Sequence, residues 1–174
     1  MVGGLYAMND SYLGIVSNAT KFAKRMSSTW GYIRDITLPI TSYFSGFGFN
    51  QGTKAVFGKE ACIEDFWIGY VCITTDLTTS KAGVHRNGTA WRYVRASMSL
   101  AGYLPPMCDL DPNGSLHLLI DGGYVNNLPS DIMKSDMGAS IVIACDVGSE
   151  WTFESHNYGD LLSGLWVFFS TKMW

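Results

Sequence analysis

Apolar residues recur at three- and four-residue intervals from Ser11 to Trp30, at Tyr12, Ile15, Val16, Ala19, Phe22, Ala23, Met26 and Trp30. Lys21, Lys24 and Arg25 fall on the opposite side. That period predicts an amphipathic helix whose basic face is either solvated or set against anionic lipid. Ahead of it, Met1 to Ala7 is small, apolar and uncapped, like the interior of a buried helix. Thr37 to Asn50 has no period, is rich in Gly, Ser and aromatics, and contains Pro39, which predicts a loop; Asn50 to Phe57 suits a short helix. Trp67 to Leu77 reads as a strand through Tyr70-Val71-Cys72-Ile73-Thr74-Thr75, followed by a turn at Arg86-Asn87-Gly88. A helix is predicted from Trp91 to Leu100, ending near Gly102 ahead of Pro105-Pro106.

The C-terminal half is patterned differently. Asp111-Pro112-Asn113-Gly114 is a turn leading into the apolar run Leu116-His117-Leu118-Leu119-Ile120. Asp121-Gly122-Gly123 follows, then a helix capped by Asn126 or Asn127, with Pro129 in its first turn and a stop near Gly138. Ser140 to Cys145 is a continuous apolar run of the kind buried on both faces of a parallel sheet. Strand, turn, helix and strand together predict a right-handed βαβ unit. No internal repeat or domain boundary is visible, so the chain reads as one α/β piece.

Composition narrows the function classes. The 174 residues are 47% hydrophobic, enough for a packed core, and only 16% charged, with net charge −3. No basic patch of the kind nucleic-acid binders carry is evident. Six Trp, nine Tyr and nine Phe fit either core packing or a surface that meets lipid. Cys62, Cys72, Cys108 and Cys145 form no C-x-x-C pair and only three His are present, so a zinc site is not expected and reduced cytosolic thiols are. The sequons at Asn9, Asn18, Asn87 and Asn113 carry no weight without a secretory leader pattern. The apolar run Leu161 to Phe169 is shorter than the roughly 20 residues of a membrane span.

Asp121 is the foremost candidate for chemistry. It stands at the end of a strand, beside two glycines that allow other backbone to come close. A carboxylate there can take the proton of a serine hydroxyl, the role histidine plays in a triad. It can equally serve only to accept hydrogen bonds from turn amides. Asp146, after the 140–145 run, is a rival, and Asp76, at the end of the Trp67 strand, a weaker one. No Gly-x-Ser-x-Gly elbow occurs in the 174 residues. Gly138-Ala139-Ser140-Ile141-Val142 fails at its fifth position and enters a strand instead of leaving one; Ser97 and Ser99 have no glycine frame. His85, His117 and His156 belong to no metal or triad pattern, and His117 is expected to pack in its strand.

Two ordered blocks carry a resemblance. Trp91-Arg92-Tyr93-Val94-Arg95-Ala96-Ser97-Met98-Ser99-Leu100-Ala101-Gly102-Tyr103-Leu104-Pro105-Pro106 and Asp121-Gly122-Gly123-Tyr124-Val125-Asn126-Asn127-Leu128-Pro129 resemble the patatin-like phospholipase domain. More narrowly, they resemble its neuropathy target esterase branch of lysophospholipases acting on phosphatidylcholine. Shorter matches at Leu38–Ser42, Ile63–Trp67, Asp146–Ser149 and Tyr158–Asp160 extend the likeness over nearly the whole chain.

The resemblance implies a three-layer α/β fold with a mainly parallel central sheet, of which residues 1–174 form a partial domain truncated at both ends. It implies a Ser–Asp dyad that deacylates phospholipid or lysophospholipid at a membrane surface, with no cofactor, metal or nucleic acid. Asp121 inherits the base role within the Asp121-Gly122-Gly123 motif. Val2 to Ala7 resembles the helix after the nucleophile elbow, which would put the serine about four residues before Met1. Without nucleophile and oxyanion loop, the chain alone is expected to be inactive. The localisation implied is the cytosolic face of the endoplasmic reticulum membrane, through parts outside this chain. The alternative is a non-catalytic fragment that binds lipid or a partner chain, or a truncated gene product without a role.

Overall fold

The computed structural model describes residues 1–8, 11–28, 34–37, 42–111 and 113–146. The run Leu161–Phe169, His156 and the helix end at Trp30 lie outside them. Contacts divide the chain into a unit of Met1–Ala144 and a unit of Cys145–Trp174; in the second, only Cys145 and Asp146 are described.

Helix α1 spans Val2–Met8 and buries Leu5 completely. Helix α2, Tyr12–Met26, is the amphipathic segment: Ser11 caps it by accepting from the Gly14 amide, Ile15 and Phe22 are buried, and Lys24 and Arg25 occupy the last turn, where they favour the helix dipole. Helix α3, Phe47–Phe57, begins three residues earlier than the pattern predicts. Helix α4, Ala90–Ala96, is shorter than predicted because the chain tightens into turns from Ser97. Leu5, Ile15, Phe57, Ile63, Cys72, Ala90, Trp91 and Val94 form one buried cluster joining these four helices to the sheet. Each fully buried aliphatic there contributes about 1.5–3 kcal/mol relative to exposure.

The sheet has four strands: β1 (Cys72–Asp76), β2 (Lys81–His85), β3 (Met107–Leu110) and β4 (Leu116–Asp121), in the order β2-β1-β4-β3. All three pairings are antiparallel. The expectation of a mainly parallel sheet is therefore corrected for these strands. For β1–β2 and β3–β4 the cause is connection length: residues 77–80 join β1 to β2 and residues 111–115 join β3 to β4, and links that short close only hairpins. The Trp67 strand begins only at Cys72; Trp67 itself is exposed.

The predicted βαβ unit does not form among the described residues. Helix α5 is Ser130–Ser135, with Pro129 at its N-cap in place of Asn126 or Asn127. The Asn126 amide instead donates to Asp131, 2.9 Å away. Residues 140–144 form no strand, and Ile141 and Ile143 are exposed, so the apolar run is neither paired nor buried. The described residues are α/β, with helices and an antiparallel four-stranded sheet.

Candidate active site

Asp121 closes β4, a central strand whose Leu119 and Ile120 are buried. Three bonds fix its backbone and carboxylate. Its amide donates to the Ser99 carbonyl at 3.0 Å, its carbonyl accepts from Thr75 Oγ1 at 2.8 Å, and its Oδ1 accepts from the Gly123 amide at 2.8 Å. The last of these caps a single 3-10 turn, Gly122–Tyr124. Among the described residues, Oδ2 receives no hydrogen bond, which leaves it open to an incoming donor.

Gly122 is needed for close approach. A Cβ at that position would stand 2.8 Å from the Ile73 carbonyl carbon and nearer still to its oxygen. Backbone cannot yield as a flexible side chain can, so β1 and the turn after β4 pack together only with glycine there. Gly123 is less constrained: its Cβ would meet Asn127 Oδ1 and Asp121 Oδ1 at 3.2 Å.

The carboxylate faces a cavity of about 240 Å³ lined also by Tyr70, Cys72, Ile73, Ser97, Asn126 and Pro129. Tyr70, Cys72 and Ser97 come from elements the sequence does not link to Asp121, and no spacing pattern signals them. Burial pushes the Cys72 thiol well above its usual range, opposed by hydrogen bonds to Ser97 and Tyr70 and raised further by Asp121. A neutral buried thiol is a poor nucleophile. Burial likewise raises the Tyr70 phenol, so it stays protonated at all physiological pH. Met1 packs against the buried cluster that includes Cys72. The first residue of the chain therefore lies near the same cavity.

The other candidates are placed elsewhere. Asp76 ends β1 and accepts from Thr78 N, Thr79 Oγ1 and His117 Nδ1 at 2.9, 2.6 and 2.7 Å. It is a structural knot at the opposite end of the β1–β4 pairing from Asp121, since Thr74 pairs with Asp121 and Asp76 with Leu119. His117 is half-buried in β4 as expected, but held by Asp76. Ser99 is buried and bonded to Arg95, whereas Ser97 donates to the Val94 carbonyl at 3.3 Å. His85 stacks on Tyr93 with ring centroids 4.0 Å apart and meets Thr74 Oγ1 at 2.7 Å. Asp146 lies in the second unit. Among the described residues no group of three His, Cys, Asp or Glu side chains can hold a metal, and no helix is long and apolar enough to cross a membrane.

Comparison with known proteins shows what the chain as a whole is similar to. The chain is a relative of the patatin-like phospholipase domain proteins along nearly its whole length. It is 51% identical over 173 residues, 99% of the chain, to rat patatin-like phospholipase domain-containing protein 7. The likeness reaches 51% over 95% of the chain for lysophospholipase NTE1 of Meyerozyma guilliermondii, and 49% over 95% for mouse patatin-like phospholipase domain-containing protein 6. Its relatives thus include proteins named patatin-like phospholipase domain-containing and proteins named lysophospholipase NTE1. The chain spans only 11–12% of the length of these relatives. No protein-family model matches it.

Proposed function

We propose that this chain carries the base half of a Ser–Asp site that hydrolyses the carboxylic ester of lysophospholipids and phospholipids, with Asp121 as proton acceptor. The observation that carries the reading is the geometry of Asp121. One carboxyl oxygen is anchored by the Gly123 amide, the other accepts no hydrogen bond among the described residues, and Asp121 lines a cavity beside the close approach of Gly122 to Ile73. An anchored carboxylate with one free oxygen is what a base needs if a serine hydroxyl approaches from the open side.

In this reading the serine attacks the acyl carbonyl as Asp121 Oδ2 takes its proton. The proton then passes to the leaving alkoxide, and water releases the fatty acid from the acyl-enzyme. The nucleophile and the oxyanion donors come from sequence outside these 174 residues, ahead of α1; Met1, just before that helix, packs against the buried cluster that includes Cys72 of the cavity wall. Residues 1–174 are then part of a larger patatin-like domain, acting at the cytosolic face of the endoplasmic reticulum membrane. The names of the relatives support the lipid-ester class.

The test compares two proteins on lysophosphatidylcholine: the 174-residue chain, and a chain extended upstream through a Gly-x-Ser-x-Gly elbow. The extended chain is expected to turn over, and Asp121→Asn to lower its rate by about 10²–10⁴-fold, the range for loss of a general base. The short chain is expected to show no turnover. An extended Asp121→Asn chain that keeps its rate rules out the base. Asp121-dependent turnover by the short chain places the nucleophile within it, with Ser97 the first to mutate.

A further inference from the structure

A second, larger cavity of about 670 Å³ lies apart from Asp121 and shares none of its lining residues. Its size falls in the range of small-ligand sites, about 300–1,000 Å³. The walls are Met26, Phe44, Phe47, Phe49, Leu100 and Leu104, drawn from the end of α2, the start of α3 and the turn after α4. The Tyr43 and Phe44 amides donate to the Gly102 and Tyr103 carbonyls at 2.8 and 3.1 Å, which holds the chain at Phe44 against the turn after α4. Those two bonds fix the Phe44 wall to the Leu100–Leu104 wall.

Its charge is uneven. Arg25 and Arg34 line the cleft, and among the described residues neither has a carboxylate within ion-pair distance. One carboxylate, Asp35, also lines it. The Asp35 carboxylate accepts from Ser45 Oγ, and its charge also favours the buried Arg95 guanidinium, so the cleft lining keeps two arginines against one carboxylate. Two uncommitted guanidiniums beside an aromatic and aliphatic wall match an amphiphile with one apolar chain and an anionic head.

We propose that this cleft binds a single-chain anionic lipid, its acyl chain against Phe44, Phe47, Phe49 and Leu104 and its carboxylate or phosphate head on Arg25 and Arg34. The site stands independently of the hydrolase reading. One tetrapeptide borders both cavities: Ser97 faces that of Asp121, whereas Met98 and Leu100 face the cleft.

Titration calorimetry on the 174-residue chain, below micellar concentrations, tests it with four amphiphiles of equal chain length. They carry carboxylate, phosphate monoester, phosphocholine and trimethylammonium heads; inorganic phosphate is the fifth probe. The carboxylate and phosphate amphiphiles are expected to bind once per chain, about tenfold or more tighter than the other two, with no binding of inorganic phosphate. Comparison of the first two identifies the head. Arg25→Gln with Arg34→Gln should erase the preference for an anion, and Leu100→Glu, at a half-exposed wall position, should abolish binding. Circular dichroism checks folding, with Phe47→Ser as the substitute if Leu100→Glu unfolds. Asp121→Asn should change nothing. Equal affinity for all four heads, or anion preference that survives loss of both arginines, overturns the proposal. Weakening by Asp121→Asn overturns it too, by placing the ligand in the other cavity.

Discussion

At the scale of single residues, the site turns on an atom that is absent. Gly122 carries no Cβ, and the space it would fill belongs to the Ile73 carbonyl. Gly122→Ala should therefore force the turn away from β1 and cost about 1–3 kcal/mol, the range for overpacking. Denaturant unfolding measures this directly. Gly123→Ala meets only side-chain and carboxylate atoms at 3.2 Å, so its cost should be smaller. Equal costs at the two positions would mean that the backbone contact does not set the order. The same residues show what a sequence can and cannot reveal about a site. Asp121 and its two glycines are legible because strand, carboxylate and glycine pair are contiguous. Tyr70, Cys72 and Ser97 are not, because they reach the cavity from β1, the segment just before it and the end of α4, 24 to 51 positions away in the chain.

At the scale of elements, a buried arginine joins what the strands leave apart. Arg95, fully buried in α4, donates Nε to Asn50 Oδ1 at 2.9 Å and Nη1 to the Pro105 carbonyl at 2.7 Å and to Ser99 Oγ. It thus ties α3, α4 and the segment before β3, and the Ser99 carbonyl in turn holds the Asp121 amide. Burial lowers the guanidinium to about 10, with Asp35 opposing, so it remains charged near neutrality. Gly46, at φ 76°, leaves room for Nη2, since a Cβ there would stand 2.6 Å from it. Arg95→Met should orphan these acceptors and cost at least about 2 kcal/mol, and Arg95→Lys should recover only part of it, because an ammonium lacks the planar fork. Denaturation midpoints check the ranking; full rescue by lysine would show that charge alone matters. Element prediction follows the same physics. Helix α2 is legible from its period. β2 and β3 are not, since Lys81-Ala82-Gly83-Val84-His85 and Met107-Cys108-Asp109-Leu110 are short and gain order only by pairing with β1 and β4. The 140–145 run reads as a buried strand by composition, yet no partner strand among the described residues pairs with it.

At the scale of the whole molecule, the two hairpins are joined by the β1–β4 pairing and by the Asp76–His117 contact across it. That contact makes stability depend on pH in two directions. For Asp76, burial works to raise the carboxyl, but hydrogen bonds from Thr79, His117 and Thr78 outweigh it and hold the group at about 2. A folded value below the unfolded 3.8 means stability that is complete above 3.8 and lost as pH falls towards 2. For His117, the hydrogen bond to Asp76 raises the imidazole above 6.5. A raised folded value means stability that is complete below 6.5 and lost as pH rises through the folded value. The pair therefore stabilises the sheet fully between about 4 and about 6.5. Urea midpoints across pH 2–9 should show a plateau there with a fall on both sides. His117→Gln should remove the alkaline fall while leaving much of the acid fall, because Thr78 and Thr79 still hold Asp76. Asp76→Asn should flatten both. An alkaline limb that persists in His117→Gln would assign it to another group, with His85 excluded by sign: burial lowers its pKa despite Asp109, so it favours the fold as pH rises.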